Sequence, residues 1–339
     1  GNAGWSDSRP GKSGRDLNGI STRARASVTL DARTNTEMGL LRSYIEFWLT
    51  ADSAGNGTTN GTAPITSLRK AFIQFGGLTA GRATSFFDFY TGATNSVYHM
   101  ATSDANINLL AYTYAFGNGI TASLSLEDSS SSDEANFGVR RAYGPYGGVK
   151  TPDVVANVNI SQAWGSAQIM GALHDDYSSL TAGGLDKDKW GYAIGGGVKI
   201  NLPMLAAGDV LALQAAYSKG AIGYVYGYKA LAAAPWVDFD VNAAGTGLAQ
   251  STAWGIAGGL THNWTKQISS TIAGSYFNYD DAVFSAADFK KADVQANVVW
   301  KPVAGLGITA AVEYQHVDRK SPLSDGNAYV GFLRVQRDF

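Results

Sequence analysis

Arg23, Arg25 and Arg33 are separated by even steps, as are Arg42 and Glu46 a few residues later. Where such stretches are extended, even spacing places the side chains on one face of the strand. Arg69 and Arg82 follow in the next two extended stretches, so Arg23, Arg25, Arg42, Arg69 and Arg82 predict a basic ladder drawn from neighbouring strands. The segment 85–106 comes next and carries Asp88 and Asp104 but neither Lys nor Arg. Arginines on one wall opposite carboxylates on a loop break no bonds. They set up a transverse field that orients dipolar solutes and separates cations from anions. Asp88 is the acid expected at the narrowing, and with Asp104 it inclines the selectivity weakly toward cations. Two blander roles compete: Arg33, Asp31 and Glu46 as ion pairs that stiffen a wall, and Asp104 as a turn cap beside Ser103 and Asn106.

Reactive chemistry has few candidates. His99, His174, His262 and His316 lack the HxxxH or HExxH spacing of a metal site, and neither a metal nor a cofactor is expected. His174, beside Asp175 and Asp176 with Ser178 nearby, is the one set from which a hydrolase could be built. The glycine-rich run 255–259 sits inside an extended stretch and opens no helix, so it is no nucleotide loop. Asp128, Asp133 and Glu134 form an acidic loop segment, open to divalent cations or simply solvated.

The elements that must position these residues are strands. The chain has 339 residues, 45% hydrophobic and 16% charged, with a formal net charge of −2, which gives no footing for nucleic-acid binding. No apolar run reaches the roughly 18–20 residues of a membrane-crossing helix. Cysteine is absent, which excludes disulfide frameworks and thiolate chemistry. Period-two alternation instead marks fifteen strands, near 19–33, 39–51, 66–76, 78–84, 107–116, 120–128, 153–164, 167–175, 189–200, 209–219, 252–264, 267–278, 290–300, 306–317 and 327–339. In the strand from Val154 to Trp164, for example, Val154, Ala156, Val158 and Ile160 alternate with Val155, Asn157, Asn159 and Ser161, an apolar face backed by a small, mostly polar one.

A soluble sandwich could share that alternation, and the connections separate the two. Short links at 34–37, 76–77, 117–119, 165–166, 201–208, 265–266 and 301–305 alternate without exception with long ones at 52–65, 85–106, 129–152, 176–188, 220–251, 279–289 and 318–326. Short links on one rim and long on the other predict a closed transmembrane antiparallel β-barrel. Phe75, Phe116, Trp164, Trp264 and Trp300 stand before short turns, whereas Trp190, Trp254 and Tyr329 stand where strands leave long loops, which makes two interfacial aromatic girdles. Bacterial barrels close on an even number of strands, so sixteen are expected, with 1–18 read as the first long loop and an opening strand lying upstream. The rival is an extra strand at 222–228 or 236–240. Phe86, Phe87, Phe89 and Tyr90 are expected to pin segment 85–106 against the inner wall, with a sugar slide as the alternative, and glycines 195–197 and 258–259 to flatten the wall where subunits pack.

The blocks ISTRARASVTLDART (20–34), LRSYIEFW (41–48), AFIQFGGLTAGRATSFFDFYTG (71–92) and GFLRVQRDF (331–339) closely resemble the alphaproteobacterial general porins. The resemblance implies one sixteen-stranded barrel domain over 1–339 and a homotrimer in the bacterial outer membrane among lipid and lipopolysaccharide. It also implies a third long loop, 85–106, folded into the lumen, and a C-terminal aromatic, Phe339, read by the barrel assembly machinery. The expected function is passive diffusion of ions and small hydrophilic solutes, with a substrate-specific channel for sugars or anions as the alternative and no enzymatic activity. The family also carries an N-terminal strand, usually with cysteines nearby, before the point where this chain starts.

Overall fold

A computed structural model describes residues 3–5, 20–52, 64–92, 100–131, 140–141, 145–178, 187–227, 236–242, 244–320 and 325–339. One antiparallel sheet contains seventeen strand segments, two of which, Ile20–Ser21 and Arg23–Thr36, are a single strand interrupted at Thr22, so the sheet has sixteen staves. They are β1 (Ala3–Trp5), β2 (Ile20–Thr36 with that break), β3 (Gly39–Asp52), β4 (Ile65–Phe75), β5 (Leu78–Thr84), β6 (Asn106–Gly117), β7 (Ile120–Glu127) and β8 (Asp153–Gln162). The ring continues through β9 (Gly165–Ser178), β10 (Lys187–Asn201), β11 (Val210–Lys219), β12 (Thr252–Asn263), β13 (Ile268–Asp280), β14 (Phe289–Val303), β15 (Leu306–Arg319) and β16 (Gly326–Arg337).

Each strand pairs with its sequence neighbour, and β1 closes the ring. Ala3 and Gly4 pair with Leu333 and Phe332 of β16, while Gly4 and Trp5 pair with Ser21 and Ile20 of β2. This corrects the expectation that 1–18 is loop throughout and that the closing strand lies elsewhere. Three residues are too few for a period of two to register, and only their pairing reveals them. The rest of that first long loop, 6–19, falls outside the described residues. The rival extra strand is also corrected: Ile222–Tyr224 is a 3-10 turn, and Phe239–Val241 pairs with Leu248–Gln250 as a separate hairpin rather than joining the barrel.

Alternation builds the wall. In β12, Ile256 on the outer face is 49% exposed and its neighbour Ala257 on the inner face 2%. The periplasmic-type turns are as tight as the sequence requires. Asn118 and Gly119 carry φ of 51° and 75°, the left-handed pair that lets a two-residue turn follow the twist of its strands. The eight aromatics expected to form girdles lie near or just past strand ends, and Trp164, Trp264, Trp300, Trp190, Trp254, Tyr329 and Phe116 are exposed. Two of them have aromatic neighbours, with Trp254 and Tyr276 5.3 Å apart between ring centres and Tyr314 and Tyr329 4.8 Å apart.

Candidate functional site: the barrel lumen

Small residues line the inner face from β10 to β13: Ala193, Gly195 and Gly197, then Ala212 and Ala216, then Ala253, Gly255, Ala257 and Gly259, then Ala273. Into this hollow fits the chain after β5. Phe87 is buried among Val155, Met170, Ala172, Ala193 and Tyr224, and Tyr90 lies among Met100, Ala212, Ala257 and Ala273. Each such burial contributes about 1.5–3 kcal/mol to holding the segment inside. Polar contacts fix its course across the wall. The Asn157 amide donates to the Phe86 carbonyl at 2.6 Å and Gln168 to that of Asp88 at 3.3 Å. Lys199 donates to the carbonyl of Phe89 at 2.8 Å, the Tyr90 amide to Gln214 at 2.9 Å and the Ala101 amide to Ser275 at 2.7 Å. The four aromatics therefore act as wall anchors. Gly197 and Gly259 are inward seats for Phe89 and Tyr90, which corrects their expected role at a subunit contact.

Asp88 is the clearest correction. Its side chain is only 2% exposed and lies 3.5 Å from the buried guanidinium of Arg140. It accepts hydrogen bonds from the Ser103 hydroxyl and, at 2.7 Å, from the Ala105 amide. Burial pushes its carboxyl upward, against the pull of Arg140 and these donors. Asp88 clasps the two ends of the inward segment and presents no charge to solvent. Asp104 is exposed, between the buried Ser103 and Ala105.

The opposite wall, β2 to β4, holds the arginines. Arg42 grips Asp31 with two hydrogen bonds of 2.8 and 3.0 Å, and Arg33 grips the same carboxylate at 2.7 and 3.2 Å. Arg23 pairs with Asp52 at 2.6 and 2.7 Å. Arg25, on β2, donates to the Thr50 hydroxyl at 2.9 Å and lies 3.9 Å from the ring centre of Trp48, while Arg69, on β4, lies 4.0 Å from that ring centre. Because β3 runs between β2 and β4, the Trp48 indole is sandwiched between two guanidiniums. Glu46 steadies the indole N–H at 3.2 Å. Below it Tyr44 stacks on Phe72 at 5.0 Å, with the Arg42 guanidinium over both rings. A bulge in β4 sets Arg69 between Leu68, opposite Phe47, and Lys70, opposite Glu46.

Arg82 does not join this wall. It pairs with Ala71, which faces outward opposite Ile45, and shares the outer parity of Leu78 and Ala80; its Nε donates to the Leu68 carbonyl at 3.1 Å. The seven-residue β5 is too short for parity to be read from sequence.

A second insertion was not foreseen. Ile222, Tyr224, Val225, Tyr226, Trp236 and Phe239, from the long connection between β11 and β12, are buried. Val225, Tyr226 and Trp236 pack with Ala253 of β12, Phe277 and Tyr279 of β13, and Phe289 of β14. The Gly227 amide donates to the Thr102 carbonyl, joining the two inward segments. The apolar run that suggested an extra strand was the signal for this burial. Arg140, Tyr146, Asp153 and Asp238, equally unforeseen, tie these segments to β8 and β9.

The Ser–His–acid set does not assemble. His174 is fully buried, with Nδ1 2.8 Å from Asp153 and Nε2 3.0 Å from the Tyr146 hydroxyl, and Ser178 lies four residues farther along the same strand, about 13 Å away. Asp128 caps its own turn through Ser130, while Asp133, Glu134 and His99 fall outside the described residues.

A closed sixteen-stave barrel, apolar outside and partly filled from within by its own connections, is the architecture of an outer-membrane channel, and the family model for the porin subfamily matches residues 2–332. The chain belongs to the porin subfamily. This porin is 27% identical over 340 residues to Porin Omp2b of Brucella suis and to that of Brucella melitensis, covering 96% of this chain and 80% of each relative. Among solved structures it resembles the outer-membrane channel DcaP of Acinetobacter baumannii, with TM-score 0.67, 16% identity, and coverage of 100% of this chain and 98% of that one. It also resembles the anion-selective porin of Comamonas acidovorans, with TM-score 0.54, 13% identity, and coverage of 98% and 96%. The porin is an outer-membrane protein whose lumen is a path for passive diffusion.

Proposed function

We propose that solutes cross this porin along an eccentric path, beside the arginine wall of β2–β4 and past the inward segment that follows β5, with a preference for anions. The observation that carries this reading is the contrast between the two walls. Inner-face residues of β2 such as Arg25, Ser27, Thr29 and Arg33 are exposed, whereas Gln168, Met170 and Ala172 of β9 or Asp293 and Gln295 of β14 are buried. On the open wall Arg23, Arg25, Arg33, Arg42, Arg69 and Lys70 face Asp31, Glu46 and Asp52, six cations against three acids. With Asp88 turned into the protein, Asp104 remains an exposed acid of the inward segment, but the six cations still outnumber these four acids, so the weak cation preference expected from sequence gives way to an anion preference.

Trimerisation belongs to the same proposal. The outer face of β2–β5 is made of residues such as Ala26, Val28, Leu30, Ile45, Phe47, Leu68, Ile73 and Leu78, with Phe75 and Arg82 at its edges and no Trp or Tyr, while the other seven girdle residues stand on or beside β6–β16. A face without interfacial Trp or Tyr suits contact with further copies better than contact with lipid. The exposed C-terminal Phe339 suits recognition by the barrel assembly machinery, and the long rim suits contact with lipopolysaccharide. Single-channel recording in a planar bilayer under a salt gradient tests the proposal. Threefold conductance steps with a reversal potential on the anion side are expected; a reversal potential on the cation side overturns the selectivity assignment.

A further inference from the structure

The buried polar group around His174 is left unexplained by pore lining. On β9, His174 has Asp176 3.9 Å from its Nε2. From β8, Asp153 faces Nδ1, with both carboxylate oxygens at 2.8 and 2.9 Å. From the connection between β7 and β8, the Tyr146 hydroxyl faces Nε2 at 3.0 Å, and Arg141 lies over the Tyr146 ring at 4.6 Å. The insertion between β11 and β12 supplies Asp238, which accepts from Tyr146 at 2.6 Å and from the Ile222 amide at 2.6 Å. It also supplies Tyr224, whose hydroxyl donates to Asp153 at 2.6 Å. Arg140 stacks on Tyr224 at 4.0 Å, donates to the Gly223 carbonyl at 2.8 Å, and reaches Asp88. Asp88 shares its inward segment with Ser85, which donates to the buried Glu127 at 2.7 Å.

With Asp153 and Asp238 ionised, the proton count sets the state of the ring. Tyr146 has one hydroxyl proton, and at 2.6 Å that proton lies on the bond to Asp238. Toward His174 the Tyr146 oxygen is therefore an acceptor, so Nε2 carries a proton. Nδ1 faces only carboxylate oxygens and carries one too. The ring that donates to both Asp153 and Tyr146 is the imidazolium.

We infer that His174, as its imidazolium, is a positioning residue that ties residues 221–227 and 236–242 of the connection between β11 and β12 to β9, and that loss of one ring proton loosens this tie and widens the pore. With one proton gone, Nε2 and the Tyr146 oxygen meet as two acceptors. Tyr146 must then turn its proton to His174 and abandon Asp238, or keep Asp238 and lose His174. Either way one bond in the hydrogen-bonded chain from His174 through Tyr146 to Asp238 is broken, and a buried carboxylate or imidazole is left short of a partner. The released proton goes to bulk solvent.

The test is conductance of the full-length chain in planar bilayers from about pH 5 to about pH 10, which spans the ordinary range of imidazole on both sides. The expected result is a rise of roughly twofold toward alkaline pH, the scale set by partial emptying of the lumen. In His174→Gln, a neutral amide, conductance should be high and flat across the range. The chain has no cysteine, so Val225→Cys with Gly255→Cys gives a clean lock: a Cβ at Gly255 would stand 3.1 Å from Val225 Cγ1. Oxidation of that pair should abolish the pH response, and reduction should restore it. A flat wild-type profile, a His174→Gln profile equal to wild type, or a response that survives the oxidised lock each overturns the inference. Channels with no pH response leave the porin reading standing, whereas absence of channels from folded barrel overturns that reading as well.

Discussion

Phe89 rests directly on the bare Cα of Gly197: a methyl group built there would stand 2.5 Å from the ring's Cδ1. The carbonyl of the same phenylalanine accepts from Lys199, two residues along β10, so the inward segment is held at this point by shape and by charge together. Gly197→Val should displace the ring and shift the segment toward the open wall. The expected outcome is a changed single-channel conductance, of the order of tens of per cent, with the folded, heat-modifiable band retained on gels. Unchanged conductance would mean that the seat does not set the bore.

Removing the indole sandwich tests the open wall. In Arg25→Gln/Arg69→Gln the inner face of β2–β4 loses two of its six cations, and the reversal potential under a salt gradient should move toward cations. Trp48→Ala should move it less, because the charges remain, but should broaden the current noise as both guanidiniums lose their platform. The stacking itself contributes about 0.5–1 kcal/mol per guanidinium at an exposed site.

Asp88→Asn separates a clasp from a pore charge. Buried against Arg140, Ser103 and Ala105, it should leave the reversal potential nearly unchanged. Thermal stability of the folded barrel should fall by about 1–3 kcal/mol, since Arg140 then keeps a buried charge with a weaker partner. A large selectivity shift without loss of stability would restore Asp88 to the narrowing.

Arg82→Leu is the matching control. With its side chain on the outer parity, the substitution should alter neither conductance nor selectivity, while the share of protein running as an oligomer on mild gels is the quantity expected to respond.

The short rim carries an acid-sensitive clasp. Burial pushes Asp209 upward, but the Asn263 amide at 2.8 Å, His262 at 2.5 Å and the Asn263 side chain at 3.2 Å more than offset this, and its carboxyl titrates below the usual range. A lowered folded-state value adds stability above the unfolded value of about 4, and that stability is lost as pH falls through the folded one. Hydrogen exchange at 201–210 should accelerate as pH drops below about 4 after correction for intrinsic rates, and the acceleration should be absent in Asp209→Asn.

The wall was legible in the sequence because each strand repeats the same two-residue rule, and the strand from 78 to 84 was placed to the residue. What parity could not supply was the fate of the connections. Asp88 sits among aromatics that did pin the segment as expected, yet its own burial depends on Arg140, distant in sequence and brought near by folding. Trp236 and Tyr224 advertised burial, but an apolar run does not say whether it will pair as a strand or pack as an insertion. Arg69 owes its position to a bulge, and Arg82 owes its outward position to a strand too short to reveal its phase.

The glycines and alanines of β10 to β13 do more than leave space. They make the inner wall a mould: Gly197 and Gly259 are the negatives of the Phe89 and Tyr90 rings, and the inserted chain is the cast. The bore is thereby encoded in residues that never touch a solute, and its width changes in steps of one methyl group whenever a small residue on that face is enlarged.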